Sequence, residues 1–203
     1  MKRRELILFL LVFFILLISF YFDNFIVQNV SLLRNSFLDN FFILIIDISS
    51  EIIFVVFFTI LFLFKKENHR WILPLWVTIG FYAIISFLLK FSIHRLRPYQ
   101  LDLVSLLPVL QDASHFVWNY SFPSAHSLLV FCVFPLILRQ FFKFRFYWLF
   151  FAFLVAFSRV YFGLHFLSDV IAGGLIGYFL GVFVIKFEDK YKLSKKLVER
   201  LLK

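Results

Sequence analysis

Long apolar runs separated by short polar segments dominate this chain of 203 residues. Spanning the hydrocarbon core of a membrane takes about 20 residues of helix. Six runs approach that length, some only with their polar ends included: 5–22, 48–65, 71–90, 123–140, 146–162 and 167–187. With 63% hydrophobic residues and a mean hydropathy of +0.94, the chain lacks the polar exterior that a soluble domain needs. We therefore predict an all-α, six-transmembrane-helix bundle that forms one membrane-embedded domain over residues 1–203.

Basic residues lie mainly in the loops on one side of these predicted spans. An even number of spans places both termini on the same side of the membrane, and this is the side of the basic loops. The positive-inside rule makes that side cytoplasmic. All but five of the 21 Lys and Arg residues lie there, and the five exceptions are Arg34, Lys90, Arg95, Arg97 and Arg159. The net charge of +9 therefore reports membrane topology, and we expect no nucleic-acid partner. The chain is expected to be a multi-pass protein of the cell membrane.

Two segments outside the spans allow two interpretations each. Apolar residues recur at helical spacing between the first two spans, at Ile26, Val30, Leu33, Phe37 and Phe41. This pattern predicts an amphipathic interfacial helix on the outer surface, or an early start of the second span. The basic tail at 187–203 fits a helix on the anionic cytoplasmic leaflet, or a solvated charged segment.

Three polar clusters interrupt the apolar sequence at the predicted outer ends of the spans. They are Lys90 to Pro98, Ser121 to His126, and Ser158 and Arg159 with His165 and Asp169. Four of the five exceptional cations lie within these clusters: Lys90, Arg95, Arg97 and Arg159. Charge is costly in an apolar environment and is usually functional there. Since the predicted topology puts all three clusters at one membrane level, we expect them to meet.

The residue types in these clusters favour an anion site. Lys90 and Arg97 are about two helical turns apart, so they share a face if the helix persists. Pro123 suits the first turn of the fourth span, which would place the amides of Ser124 and Ala125 at a helix N-terminus. Free amides and the helix dipole stabilise an anion at such a position.

Each candidate residue also has a structural explanation when it is taken alone. The alternatives are snorkelling cations for Lys90 and Arg97, a hydrogen-bonded structural histidine for His126, a helix-stabilising i, i+4 pair for His165 and Asp169, and a lipid contact for Arg159. These explanations do not account for the convergence of the cations with both imidazoles, so we favour a functional site. His94 and Arg95 fit substrate contact and solvent exposure equally well. For Asp47 and Glu51, an interfacial helix end is favoured over a functional role.

The spacing of the clusters resembles the phosphatidic acid phosphatase type 2 (PAP2) superfamily, membrane lipid phosphatases that are related to vanadium haloperoxidases. The signature of that superfamily reads K-x6-RP, PSGH and SR-x5-H-x3-D. This chain matches it over residues 90–169 with Lys90, Arg97-Pro98, Pro123-Ser124-Ala125-His126, Ser158-Arg159, His165 and Asp169. Ala125 stands where Gly is usual, which affects the loop geometry if positive φ is required there. Within the superfamily, the short chain is similar to relatives of bacterial phosphatidylglycerophosphate phosphatase B and undecaprenyl diphosphate phosphatase.

The resemblance implies a role for each matching residue. His165 would attack phosphorus and form a phosphohistidine, with Asp169 holding its tautomer. His126 would protonate the leaving oxygen and then activate water. Phosphate would be bound by Lys90, Arg97, Ser124, Ala125 and Arg159. The resemblance further implies no cofactor or metal, a lipid phosphate as substrate, membrane lipids as surroundings, and an active site on the extracytoplasmic side.

Two other functions use the same residues. A vanadate-dependent haloperoxidase would hold vanadate in this site, but those relatives are soluble and six apolar spans argue against that class. A transporter or non-catalytic lipid-binding protein would place its charges near the middle of the membrane. The predicted clusters lie at one interface instead, which favours the phosphatase.

Overall fold

The computed structural model describes residues 3–64, 66–113 and 120–194. Within these ranges the chain forms helices and loops without a β-strand, which confirms the all-helical prediction. The described part of the chain contains seven α-helices: α1 (Arg3–Ser31), α2 (Ser36–Ile48), α3 (Glu51–Leu63), α4 (Ile72–Ile93), α5 (Ala125–Gln140), α6 (Arg145–Tyr161) and α7 (Leu167–Tyr191). Helices suit an apolar environment because they satisfy every backbone hydrogen bond within one segment. Short 3₁₀ helices precede α4 and α6 at Lys66–Trp71 and Phe142–Phe144.

Four of the described helical segments are long and apolar enough to cross a membrane: Phe9–Ser31, Lys66–Leu101, Phe142–Tyr161 and Leu167–Tyr191. A fifth crossing results if α2 and α3, which meet at a bend of 58°, form one span. The remaining apolar helix, α5, has only 16 residues. The protein is therefore a helical membrane protein with four or five candidate spans in its described part, and the predicted count of six is not confirmed.

The first two predicted boundaries differ from the structure. α1 does not end at 22 but continues through Asp23 to Ser31. Asp23 is buried and hydrogen-bonded to residues of two other segments, so its charge does not end the helix. The predicted interfacial helix over Ile26 to Phe41 is wrong as one element, because the chain breaks at 32–35. There the Asn35 side chain accepts from the amides of Phe37 and Leu38 and starts α2.

Contact between α5 and α7 is unusually close and depends on glycine. A Cβ atom on Gly177 would lie 2.3 Å from the Leu128 carbonyl oxygen, and one on Gly181 would lie 2.1 Å from that of Cys132. Small residues at such positions let two helix backbones approach. Because α5 and α7 begin beside each other, this contact fixes the relative position of the second and third polar clusters.

The three clusters lie at one end of the helix bundle. The Ser121 amide donates to the Arg95 carbonyl at 2.7 Å, and the Ser124 amide donates to the Asp169 carbonyl at 3.0 Å. Other polar residues meet at the opposite ends of α5 and α7, where Arg139 pairs with Asp189 at 2.5 Å. The helix ends that carry the clusters thus form one polar layer above an apolar bundle.

Candidate functional site

Lys90 lies on the buried face of α4. Buried positions recur along this helix at Leu75, Thr78, Tyr82, Ser86 and Lys90, the spacing of a single helix face. Lys90 is 1% exposed, and its ammonium group donates to the carbonyl oxygen of Tyr120. α4 ends at Ile93, and His94 follows it in the left-handed conformation, with φ of 51°. This turn carries the chain into the segment that bears Arg95 and Arg97.

The helix that carries the second cluster, α5, begins later than the sequence indicates. α5 starts at Ala125 with Ser124 as its N-cap, so Pro123 precedes the helix instead of occupying its first turn. The Ser124 amide donates to the Asp169 carbonyl and is therefore not directed at an anion as expected. The buried Ser124 hydroxyl accepts from Ser127 at 3.2 Å. The first backbone amide of α5 itself is that of Ala125.

Arg159, in the last turn of α6, is 3% exposed. Its Nη2 donates to the Ser49 hydroxyl at 3.1 Å. Its Nε finds no hydrogen-bond partner among the described residues. A buried donor without a partner is rare, because leaving it unsatisfied costs about 1–3 kcal/mol. Arg159 therefore offers a hydrogen bond to an anion at this site.

The turn between α6 and α7 holds His165 against Arg159. Both the Leu164 and the His165 amides donate to the Arg159 carbonyl, at 3.0 and 3.1 Å. Gly163 has φ of +67°, and its carbonyl accepts from the Tyr99 amide at 3.3 Å. The third cluster is thereby tied to the segment that follows Arg97.

His165 and Asp169 lie within ion-pair distance, with Nδ1 3.8 Å from Oδ2. This separation is longer than a hydrogen bond. The Ser121 hydroxyl lies 3.4 Å from the same Nδ1 and donates to the Asp169 Oδ2. Since Nδ1 faces these two groups, Nε2 is the ring nitrogen that remains for chemistry.

Burial holds the pKa of His165 well below its ordinary range, and the charges of Arg97, Lys90 and Arg159 lower that pKa further. The imidazole is therefore neutral at physiological pH and keeps a lone pair. His126, half-buried at the start of α5, lies within electrostatic range of His165 and of the same three cations. The structure thus brings together both imidazoles and all three predicted cations.

Sequence reasoning missed two residues behind this layer. Arg95, whose role was left open, bonds the carboxylates of Asp23 and Asp169, each at 2.6 Å. Asp23 was not singled out. The signal for it is an acidic residue inside an apolar run, which needs a cationic partner. Glu51, read as a helix end, accepts from the buried Tyr82 hydroxyl, whereas Asp47 is exposed.

The described ranges also bear on metal binding and on the tail. Within 3–64, 66–113 and 120–194, no group of three or more His, Cys, Asp or Glu side chains is arranged to hold a metal ion. Of the basic tail at 187–203, residues 195–203 lie outside the described part of the chain.

Two solved structures are similar to this chain in fold. No curated protein matches the chain. One similar solved structure is the first transmembrane PAP2 type phosphatidylglycerolphosphate phosphatase from Bacillus subtilis, with a TM-score of 0.69, 24% identity, and coverage of 91% of this chain and 97% of that chain. Another is LpxE of Aquifex aeolicus, with a TM-score of 0.64, 25% identity, and coverage of 79% and 92%.

The family model of the PAP2 superfamily matches residues 71–192. This range is more than half of the chain, and it contains all three polar clusters. The chain therefore belongs to the PAP2 superfamily.

Proposed function

We propose that this protein is a membrane phosphatase that removes the terminal phosphate of a phospholipid or an isoprenyl (di)phosphate on the extracytoplasmic side. The observation that carries the proposal is the buried Arg159. Its Nε has no partner among the described residues, and its charge acts on His165 together with those of Lys90 and Arg97. Three cations around a neutral imidazole suit a phosphoryl group that is being attacked.

The proposed reaction has two steps. The His165 Nε2 attacks phosphorus, the bond from phosphorus to the lipid oxygen breaks, and His126 gives its proton to that oxygen. His126 then takes a proton from water as the water oxygen attacks phosphorus; the bond from phosphorus to His165 Nε2 breaks, and inorganic phosphate leaves. Asp169 stabilises the imidazolium character that develops on His165.

Charge on the transferred group would be stabilised by donors that are already in place. Lys90 and Arg159 lie in the last turns of α4 and α6, and Arg97 lies in the segment that follows α4. The Ser124 hydroxyl and the Ala125 amide lie at the start of α5. Such preorganised donors act most strongly where water is excluded. We propose that these five groups bind the phosphate oxygens, and that the enzyme needs no metal or other cofactor.

Topology and substrate follow from the apolar bundle below the site. We propose six crossings, with α2 and α3 as one bent span and α5 as a short one, so that both termini are cytoplasmic. Lipid tails would then lie among helices rich in Phe and Leu. Support for a lipid substrate comes from the shared fold with a phosphatidylglycerolphosphate phosphatase. Residues 1–203 would form one domain, with catalytic motifs at 90–169 and a cytoplasmic tail at 187–203.

The proposal is tested by phosphate release from a series of lipid phosphates that differ only in chain length, presented in mixed micelles. Burial of the tail contributes up to about 0.8 kcal/mol per CH₂, so kcat/KM should rise with chain length. An arm with a chelator should match the arm without it. A flat series, or faster hydrolysis of glycerol phosphate, would contradict a lipid substrate. Loss of activity with chelator and recovery with magnesium would contradict the metal-free mechanism.

A further inference from the structure

Behind His165 and Asp169 lies a charged cluster that the proposed reaction does not use. It consists of Asp23 of α1, Arg95 after α4, and Ser168 in the first turn of α7, and we call it the rear clamp. Arg95 Nη1 donates to Asp169 Oδ1 at 2.6 Å, and Arg95 Nη2 donates to Asp23 Oδ2 at 2.6 Å. One guanidinium therefore bridges two carboxylates that are almost completely buried.

We propose that Arg95 and Asp23 are positioning residues, which orient the Asp169 carboxylate toward His165. This inference rests on the proposed function and adds two residues to that site. Neither residue would touch the substrate.

The hydrogen bonds of Asp169 show how the orientation arises. Its Oδ2 accepts from the Ser121 hydroxyl and from the Phe166 amide, the latter at 2.8 Å, and it is the oxygen nearer to His165. Its Oδ1 accepts from Arg95. Donors on both oxygens fix the plane of the carboxylate. Without Arg95, Oδ1 would lose its cationic partner in a buried position, where an unpaired charge is costly.

The contacts of Arg95 distinguish it from a phosphate ligand. Its Nη1 also bonds the Ser168 hydroxyl at 2.7 Å, so both terminal nitrogens are engaged by protein groups. The guanidinium carbon lies 4.2 Å from the centre of the Phe166 ring and 5.3 Å from that of Phe20. Arg159, in contrast, keeps its Nε without a partner among the described residues. Arg95 is thus held as part of the scaffold.

Asp23 has a second function in the rear clamp. The N-cap of α7, Phe166, has no capping side chain of its own, and the Ser168 amide donates instead to Asp23 Oδ1 at 3.0 Å. The Ser168 hydroxyl donates to Asp23 Oδ2. A carboxylate at a helix N-terminus is stabilised by the free amides and the dipole. Asp23 therefore caps α7 from another helix, at the turn that presents Asp169. It lies outside the residues that match the family model.

Kinetics of Arg95→Gln, Asp169→Asn and the double variant test this proposal in the full chain. If Arg95 acts through Asp169, Arg95→Gln should lower kcat about 10- to 100-fold, as expected for a group that orients a functional side chain. KM should stay within about twofold, since no substrate contact is lost. The double variant should be no slower than Asp169→Asn alone. Arg95→Lys should be intermediate, because an ammonium lacks the fork that bridges two carboxylates.

Two further variants separate orientation from folding. Asp23→Asn keeps an acceptor for the Ser168 amide but loses the charge that holds Arg95, so kcat should fall at temperatures where the variant is still folded. Arg34→Gln is the matched control, since Arg34 lies at the same end and bonds the Ser105 carbonyl at 2.6 Å without contacting Asp169. Its kcat should equal that of the unaltered protein.

Three results would contradict the proposed role of the rear clamp. Arg95→Gln could change KM alone, it could leave kcat unchanged, or the losses of kcat in Arg95→Gln and Asp169→Asn could multiply in the double variant. The proposed function is judged separately by phosphate release from the unaltered protein.

A second experiment needs no substrate and compares ¹⁵N-histidine spectra of the unaltered protein and Arg95→Gln, with the His165 signal assigned by His165→Gln. The Nδ1 shift of His165 should change in Arg95→Gln, and an unchanged shift would reject the inference even if no tested lipid were hydrolysed.

Discussion

At the scale of single residues, the site depends on donors held in place before any substrate arrives. Arg159 shows this most clearly, since one nitrogen is anchored to Ser49 at 3.1 Å while Nε lacks a partner in the described ranges. The planar guanidinium can present two parallel donors to a phosphoryl group. A lysine at this position would supply the charge without that geometry.

Arg159→Lys should therefore lower kcat by about 10²-fold, the loss typical of removing one transition-state donor. The measurement is steady-state phosphate release, with Arg34→Lys as the control at the same end of the bundle. Near-normal kcat in Arg159→Lys would show that charge alone is needed there.

The neutrality of His165 gives a prediction with a defined sign. Burial and then Arg97 lower the pKa of His165, so Arg97→Gln should raise that pKa. The acidic limb of kcat/KM should then move to higher pH, because a larger fraction of the imidazole is protonated and unable to attack. The substrate is the same in both profiles, so its own ionisation does not affect the difference. A shift to lower pH, or none, would contradict the electrostatic account.

At the scale of helices, the glycine contact between α5 and α7 sets the relative position of the second and third polar clusters. Gly177→Ala would place a Cβ 2.3 Å from the Leu128 carbonyl oxygen. The helices must then separate, at a cost of about 1–3 kcal/mol typical of overpacking. Thermal unfolding in detergent should fall by several degrees, and activity should fall with it.

Gly80→Ala is the matched control for the glycine contact, because a Cβ there would meet nothing within 4 Å. Alanine favours helix over glycine, so this variant should unfold at the same temperature or higher. Equal effects of the two substitutions would mean that helix propensity, and not close approach, decides the result.

Sequence reasoning predicted helices well and their ends poorly, for physical reasons. The apolar runs and motif spacings identified the helical fold and the residues of the polar layer. The end of α1 was placed too early because an acidic residue reads as a helix end, and only tertiary contact with Ser168 and Arg95 explains a buried Asp23. The late start of α5 was missed because Pro123 is as compatible with the preceding turn as with the first helical turn. Long-range pairings such as Arg159 with Ser49 leave no local pattern.

At the scale of the whole molecule, the proposed membrane topology can be tested by labelling variants that each carry one added cysteine. The native Cys132 is fully buried and supplies little background. Ser105 is exposed beyond the ends of the helices that carry the site, whereas Glu67 is exposed before α4 at the other end. An impermeant thiol reagent added to intact cells should label Ser105→Cys and spare Glu67→Cys. The opposite pattern would place the site on the cytoplasmic side.

Nucleophilic attack by His165 predicts that phosphate release depends on this side chain. The purified protein and His165→Ala are assayed side by side for inorganic phosphate released from a long-chain lipid phosphate in mixed micelles. Loss of a nucleophile typically removes several orders of magnitude of kcat, roughly 10⁶-fold in a well-studied hydrolase. We expect sustained phosphate release by the unaltered protein and none above background by the variant, with both proteins unfolding at similar temperatures. Equal phosphate release by the two proteins would show that His165 is not the nucleophile.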